Sequence, residues 1–497
     1  MNKPRGLKRM LEIIPGGLSW GIIAFLILLA FLRPVACAII IIAFDFYWII
    51  RTLYLTTLLV MAHQRLFGQK HENWLERCRG LPAGLGFKQL YQIVIFPVYN
   101  EGLEVLRPSL EALAATHYPP EQIILVMAFE ERGAWSHQNA ALLEHEFGGK
   151  FGAYLSTFHP DGLPQECRTK GANATWAAKA AKKYLDERSI AYEQALVSCF
   201  DADTCVDQEY FGCLSYHFLT SDKKHRASYQ PMPVYNNNIW QAPFFARLVE
   251  ISSTFCQMIE SMRLEKFVTF SSHSMSFKTL VEIDYWPRDM ISDDSVIYWK
   301  SYLHYNGDYR VVPLYVTVSL DVAYSSNIWR TISVQYRQKR RWAWGVENFP
   351  FVVEGFLRNK KIALGHKLRR SFHLLESHVT WAVWAVILVV IGPLPVILGG
   401  KFFSQTAIAY NLPKITGLLF KFTLLTSLTW IFLSWTILPP RPKEVSRWKY
   451  LALIGEWVFV PLIILVIGST PALDAQTRLM LGRYMEFNAT LKGNKML

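Results

Sequence analysis

Cysteine is scarce in this chain: seven among 497 residues, odd in number and without a C-x-x-C pair. That excludes a disulfide framework and a zinc-finger site, and it marks the thiols as reduced packing residues. Charge is also thin, with 18% of residues charged against 52% hydrophobic and a mean hydropathy of +0.16. The chain is too apolar for an ordinary soluble enzyme and too polar for a pure membrane bundle. Lipid-spanning segments around a globular domain are what the balance implies. No internal repeat and no low-complexity linker is visible. No small-residue cleavage site breaks the first apolar stretch, which argues against a secretory signal peptide.

What charge there is leans basic, with a formal net charge of +13. Many of the Lys and Arg residues flank apolar runs, as in the opening MNKPRGLKRM and the loop Pro439–Lys449. That placement reads as cytosolic anchoring beside anionic headgroups of a lipid bilayer. No basic groove motif accompanies it, so nucleic acid is not an expected partner.

The apolar stretch from Gly17 to Met61 is interrupted by Arg33-Pro34. A span takes roughly 20 residues, so two crossings fit, with Pro34 opening the second helix where a missing N–H costs little. We assign residues 1–62 to this N-terminal membrane region. Residues 63–370 read as one cytosolic globular domain. Short β-rich runs, Tyr91–Pro97, Gln122–Met127 and Ala195–Phe200, alternate there with helical patterns such as Gly171–Arg188. That alternation predicts an α/β, Rossmann-like domain with a mostly parallel sheet and ligands at the C-terminal strand ends. Apolar runs return near 378–399, 416–438 and 450–469, within a C-terminal membrane region at 371–470 of two or three helices. A polar, basic tail follows at 471–497. Three crossings would export that tail, whereas its Arg and Lys content favours the cytosol. The run 450–469, with Gly455 and Pro461, is the expected exception, bending back or lying at the interface.

Three clusters carry chemistry. Asp201-Ala-Asp203 follows an apolar strand, and two carboxylates at i and i+2 can aim oxygens at one Mg²⁺ or Mn²⁺ that keeps positions open for phosphate. The competing reading is a solvated strand-end turn. Asp293-Asp294 precedes a helical segment; one of two close carboxylates can have a raised pKa and act as general base, or Ser292 or Asp293 can simply cap the helix. Gln338-Lys-Arg-Arg341-Trp342 is either a membrane-surface helix or a surface where Arg341 faces a diphosphate and Trp342 a sugar ring.

Taken in order, these clusters resemble a known family. Pro97-Val-Tyr99-Asn100-Glu101 looks like the opening P-x-Y-N-E of family 2 glycosyltransferases. Lys170-Gly-Ala-Asn173 resembles their K-A-G-N, Asp201-Ala-Asp203 their D-x-D, Ser292-Asp293-Asp294 their T-E-D, and Gln338 to Trp342 their Q-x-x-R-W. The last match and the flanking spans point to the membrane branch, similar to cellulose, chitin and hyaluronan synthases. The resemblance implies a GT-A fold and an inverting single displacement, transferring a sugar from a UDP- or GDP-linked donor to a glycan or glycolipid acceptor. It implies a metal at Asp201 and Asp203, and Asp294, beside Asp293, as the catalytic base. Donor contacts are expected from Tyr99, Glu101, Glu130, Lys170, Asn173, Asp201 and Gln338. Arg341 would face the leaving diphosphate and Trp342 the acceptor sugar. Phe487-Asn-Ala-Thr490-Leu-Lys492 resembles the F-x-V-T-x-K gating loop of cellulose synthases, which adds Thr490 and Lys492 to the donor contacts. Two departures stand out. The acidic turn usual after the second strand is replaced by Glu130-Glu131-Arg132, and His273 stands where polymer synthases carry a small or thiol side chain. The expected product is a polysaccharide made at the plasma or inner membrane; a non-processive transferase acting on a lipid is the alternative.

Overall fold

The computed structural model describes residues 6–485 other than 83, 85 and 165. Eight strands form one sheet: β1 (Tyr91–Val98), β2 (Ile123–Glu130), β3 (Ala153–His159), β4 (Ala195–Cys199), β5 (Cys205–Val206), β6 (Ala227–Val234), β7 (His273–Ser276) and β8 (Arg310–Ser319). Their spatial order is β3-β2-β1-β4-β7-β6-β8-β5. The first four strands run parallel, as the alternation of strands and helices predicts. Period-2 alternation sends Ile93 and Ile95 to one face and Val94 and Phe96 to the other. On the first face the helix Lys170–Glu187 presents Ala174, Ala177, Ala178 and Ala181, all buried. Side chains this small let the helix lie close to the sheet, so a bulkier residue at Ala178 would overpack the layer at a cost of about 1–3 kcal/mol. On the other face Leu106, Leu110 and Leu113 of the helix Leu103–Ala114 join the core with Phe211 and Leu214.

The second half of the sheet is mixed, within an expectation of a mostly parallel sheet. β7 lies antiparallel between β4 and β6, while β6 and β8 pair in parallel. Because β7 runs against β4, Cys199 at the end of β4 faces His273 at the start of β7. The segment leading into β7 is therefore brought beside the acidic turn leaving β4. This reversal builds the site.

Among the described residues, five helices are long and apolar enough to span a membrane: residues 7–32, 34–69, 364–391, 407–436 and 452–480. The first two are separated at Arg33, with Pro34 in the first turn of the second. The second helix runs on to Gln69 and another runs from Leu364, so positions 62/63 and 370/371 fall inside continuous helices. Polar bonds tie the bundle: Thr416 donates to Asp45 at 2.9 Å and the Trp430 indole to Thr56 at 2.9 Å. The last run touches the sheet domain or its neighbours at both ends. Near its start Glu456 pairs with the fully buried Arg247 at 2.6 Å. Near its end Asp474 pairs with Arg340 at 2.9 Å, and the Ser19 hydroxyl donates to Gln476 at 2.6 Å. Arg9, in the first helix, donates to the carbonyls of Leu479 and Met480.

Candidate active site

The acids leave the sheet at the C-terminal end of β4. Asp201 is held from three sides: Ser271 donates to its Oδ2 at 2.6 Å, its own N–H donates to the Ser272 hydroxyl at 3.3 Å, and Lys170 Nζ lies 2.7 Å from Oδ1. Ser272 adopts φ of 61°, a left-handed conformation unusual for a residue with a Cβ. Its hydroxyl, also bonded to Thr204 at 2.8 Å, locks the turn. Asp203 is 1% exposed, and its Oδ2 accepts the backbone N–H of Asp321 at 2.8 Å. Among the described residues no group of three or more His, Cys, Asp or Glu side chains is arranged to hold a metal. Two carboxylates are the donor chemistry that a hard cation takes from a protein when phosphate oxygens complete its shell; here Lys170 and Ser271 engage both Asp201 oxygens and Asp203 is buried, so an ion would have to displace part of this network.

Lys170 opens the helix Lys170–Glu187, whose N-cap Thr169 accepts from the Ala172 N–H. The same ammonium lies 3.0 Å from Asp294 Oδ1, joining the D-x-D acid to the second acidic pair. Burial alone would lower its pKa; the charges of Asp201 and Asp294 outweigh that and hold it well above the ordinary range. Gly171 is required here by close approach. A Cβ would stand 2.7 Å from the Pro287 carbonyl and 3.0 Å from Asp293 Cβ, so a side chain would push the acidic loop off the helix.

Asp293 and Asp294 occupy the first turn of the helix Asp293–His304, where the positive end of the helix dipole favours negative charge. Their surroundings differ. Asp293 is 3% exposed, and burial, with the neighbouring Asp294 charge, pushes its carboxyl up to about 8. Asp294 is partly exposed, at 27% of its side chain, and ion-paired with Lys170. Of the two, Asp294 is thus the carboxylate available to a hydroxyl. His273 is buried, its Nδ1 3.1 Å from the Phe270 carbonyl and 3.9 Å from Asp294. Burial pushes its pKa down, which keeps the ring neutral.

The helix Ile328–Ala343 brings up the third cluster. The Arg341 charge is near enough to pull on the Asp293 carboxyl. Trp342 packs edge-on to Phe270, with ring centroids 5.4 Å apart, and tilted against Tyr235 at 6.0 Å. Lys339 covers one face of its ring at 3.4 Å and pairs with the buried Glu250 at 2.9 Å. Gln338 is 3% exposed, deeper than a surface contact needs.

The remaining expected donor residues sit at the ends of β1 and β2. Tyr99 lies under the Arg132 guanidinium at 4.4 Å, and its N–H donates to Glu101 at 2.7 Å. Glu130 is buried beside Arg132 and His159, at 3.2 and 3.4 Å, and His159 reaches Glu166 at 3.0 Å. Asn173 is 1% exposed and donates to the Ala128 carbonyl at 2.6 Å, tying its helix to β2. Thr490 and Lys492 lie outside the described residues. Sequence reasoning did not single out Ser272, Tyr235, Lys339, His159 or Asp321. Lys339 is an unspecified position inside the Gln338–Trp342 motif and the others belong to no short motif; each acquires its neighbour through the fold.

A mixed sheet flanked by helices, with acids at the end of β4 facing a second acidic turn, is the GT-A architecture of a glycosyltransferase. The profile of glycosyl transferase family group 2 matches residues 196–469, more than half the chain, and the protein belongs to that family. No curated protein matches the chain. Among solved structures, the mannosyltransferase PcManGT from Pyrobaculum calidifontis, in complex with GDP-Man and Mn²⁺, is 14% identical; the match covers 75% of this chain and 99% of that one, with a TM-score of 0.40. Residues 1–349 of TarS from S. aureus are 12% identical, over 80% of this chain and 94% of that one, with a TM-score of 0.40. The same TarS fragment in complex with UDP-GlcNAc matches at 13% identity over 80% and 94%, with a TM-score of 0.39.

Proposed function

We propose that the protein is a membrane-integrated, inverting glycosyltransferase that adds sugars from a UDP- or GDP-linked donor to a growing polysaccharide. The observation that carries this reading is the Lys170 ammonium shared between Asp201 and Asp294. It joins a donor-side acid to an acceptor-side acid across one cation, where a sugar leaving a diphosphate would meet an incoming hydroxyl. Asp201 and Asp203 would hold Mg²⁺ or Mn²⁺, which would supply positive charge to the diphosphate. Asp294 takes the proton of the acceptor hydroxyl. The hydroxyl oxygen bonds to the anomeric carbon from the side opposite the diphosphate. The bond to the diphosphate breaks with its electron pair on the leaving oxygen, and the configuration inverts. Lys170 and Arg341 stabilise the charge that appears there. Trp342, with one ring face covered by Lys339, presents the other to the acceptor.

The catalytic domain lies in the cytosol in this reading, and four of the five apolar runs cross. Crossing separates a helix's ends by about 30 Å of hydrocarbon. The run 452–480 instead bonds Arg247 near its start and Arg340 near its end, which supports its lying along the inner face. The tail then stays on the catalytic side.

The test is Asp294→Asn assayed with radiolabelled nucleotide sugars in native lipid. The variant should retain donor binding and lose about 10²–10⁴-fold in transfer, while the wild type makes a polymer on a sizing column. Near wild-type transfer by Asp294→Asn would refute the base, and a single-sugar lipid product would refute the polymer.

A further inference from the structure

The catalytic-base loop is gripped by a carboxylate that no motif contains. The helix Asp293–His304 starts at Ser292, which makes no side-chain cap bond to that helix. The first N–H groups of a helix have no partner within it, and so the chain entering it needs another anchor. Glu347 supplies one. Its Oε1 accepts the N–H of Ile291 at 3.0 Å, the N–H of Ser292 at 2.8 Å and the Ser292 hydroxyl at 2.8 Å. Its Oε2 accepts the Trp344 indole N–H at 3.0 Å. Asn348 adds a bond from its amide to Ser295 at 2.7 Å. Burial raises the Glu347 pKa and these same donors oppose that rise; four hydrogen bonds converge on one group.

Glu347 lies in the short helical turn Trp344–Glu347, directly after the helix that carries Arg341 and Trp342. The two residues it holds immediately precede Asp293 and Asp294. We infer that Glu347 is a positioning residue that fixes the base loop to the acceptor-facing helix, so that Asp294 and Trp342 address one acceptor hydroxyl as a single rigid unit. It does not touch the reacting atoms. The inference rests on Asp294 being the base. Its consequence is specific: without Glu347, Asp294 remains present and ion-paired to Lys170, but its alignment with the acceptor is lost. Water needs no such alignment, so the donor's fate should shift from transfer towards hydrolysis.

The experiment uses the full-length enzyme in lipid, with Glu347→Ala, Glu347→Gln and Ser292→Ala. Donor KM, transfer rate and the ratio of sugar transferred to sugar released as free monosaccharide are measured together. For Glu347→Ala transfer should fall on the order of 10²-fold, the cost of misplacing a reacting group by about 1 Å, with donor KM nearly unchanged and the hydrolysed share raised. Glu347→Gln keeps an acceptor oxygen for Ile291 and Ser292 and should recover most of the transfer. Ser292→Ala, which removes only the hydroxyl arm, should move the ratio slightly in the same direction. An unchanged ratio in Glu347→Ala, with loss confined to thermal stability or yield, would show an ordinary strut and overturn the inference. So would a Glu347→Gln enzyme as defective as Glu347→Ala. If Asp294→Asn leaves wild-type transfer intact, the base assignment has failed; if Asp294→Asn is defective and the Glu347 ratio is flat, only the positioning role has failed.

Discussion

Lys170 offers the sharpest test of how the site works. Its ammonium lies 2.7 Å from Asp201 and 3.0 Å from Asp294, with the Lys side chain 10% exposed and each acid 27% exposed. Lys170→Met keeps much of the length and volume and removes only the charge. Two carboxylates would then face one another across an apolar stem. Removing one member of a buried pair costs about 3–5 kcal/mol, and the partial exposure of both acids places the expected loss near the lower end. The catalytic loss has a separate origin. A fixed cation at the leaving diphosphate is a preorganised stabiliser, and deleting one such group lowers kcat by about 10²–10³-fold. The two effects separate in Lys170→Met/Asp294→Asn, which relieves the repulsion and should regain stability without regaining activity. Thermal unfolding in lipid nanodiscs and the initial rate of nucleoside diphosphate release give the two readings. A Lys170→Met enzyme with more than about a tenth of wild-type turnover would refute the electrostatic role. A double variant no more stable than the single would refute the repulsion argument.

Three further outcomes follow from the same geometry. Because burial raises the Asp293 carboxyl to about 8, the folded protein keeps a proton that the unfolded chain releases. Its stability contribution is therefore complete below the ordinary carboxylate pKa and is lost as pH rises towards about 8. Asp293→Asn should flatten that part of a melting-temperature profile, and an unaltered slope would show that another group is responsible. Transfer should stop in excess chelator and return with Mg²⁺ or Mn²⁺, whereas full activity in chelator would remove the metal from the mechanism. A single Cys placed at position 490 should resist an impermeant thiol reagent applied to intact cells and react after permeabilisation; labelling from outside would reject both the inner-face helix and a cytosolic tail.

Local signals in the chain were enough for several features. Alternating Ile, Val and Phe around Tyr91–Val98 reports a strand buried on both faces, because neighbouring side chains on a strand point to opposite sides. Arg33-Pro34 marks the break between the first two apolar helices, because proline lacks the N–H that a helix interior requires. Asp201, Asp203, Lys170 and Asp294 were all legible as acids and a base in short motifs. Their assembly was not. Residues 170, 201 and 294 meet only because parallel crossovers stack β1 and β4 and because β7 reverses against β4, and long-range pairing of this kind leaves no trace in a short window of sequence. The same holds for the different states of Asp293 and Asp294, adjacent in the chain and alike in chemistry. Burial separates them, and burial belongs to the fold. Glu347 illustrates the limit most clearly: in sequence it is one more acid beyond an aromatic helix, and only the packing of that helix against the Asp293 loop adds three donors from Ile291 and Ser292 to the Trp344 indole of its own turn.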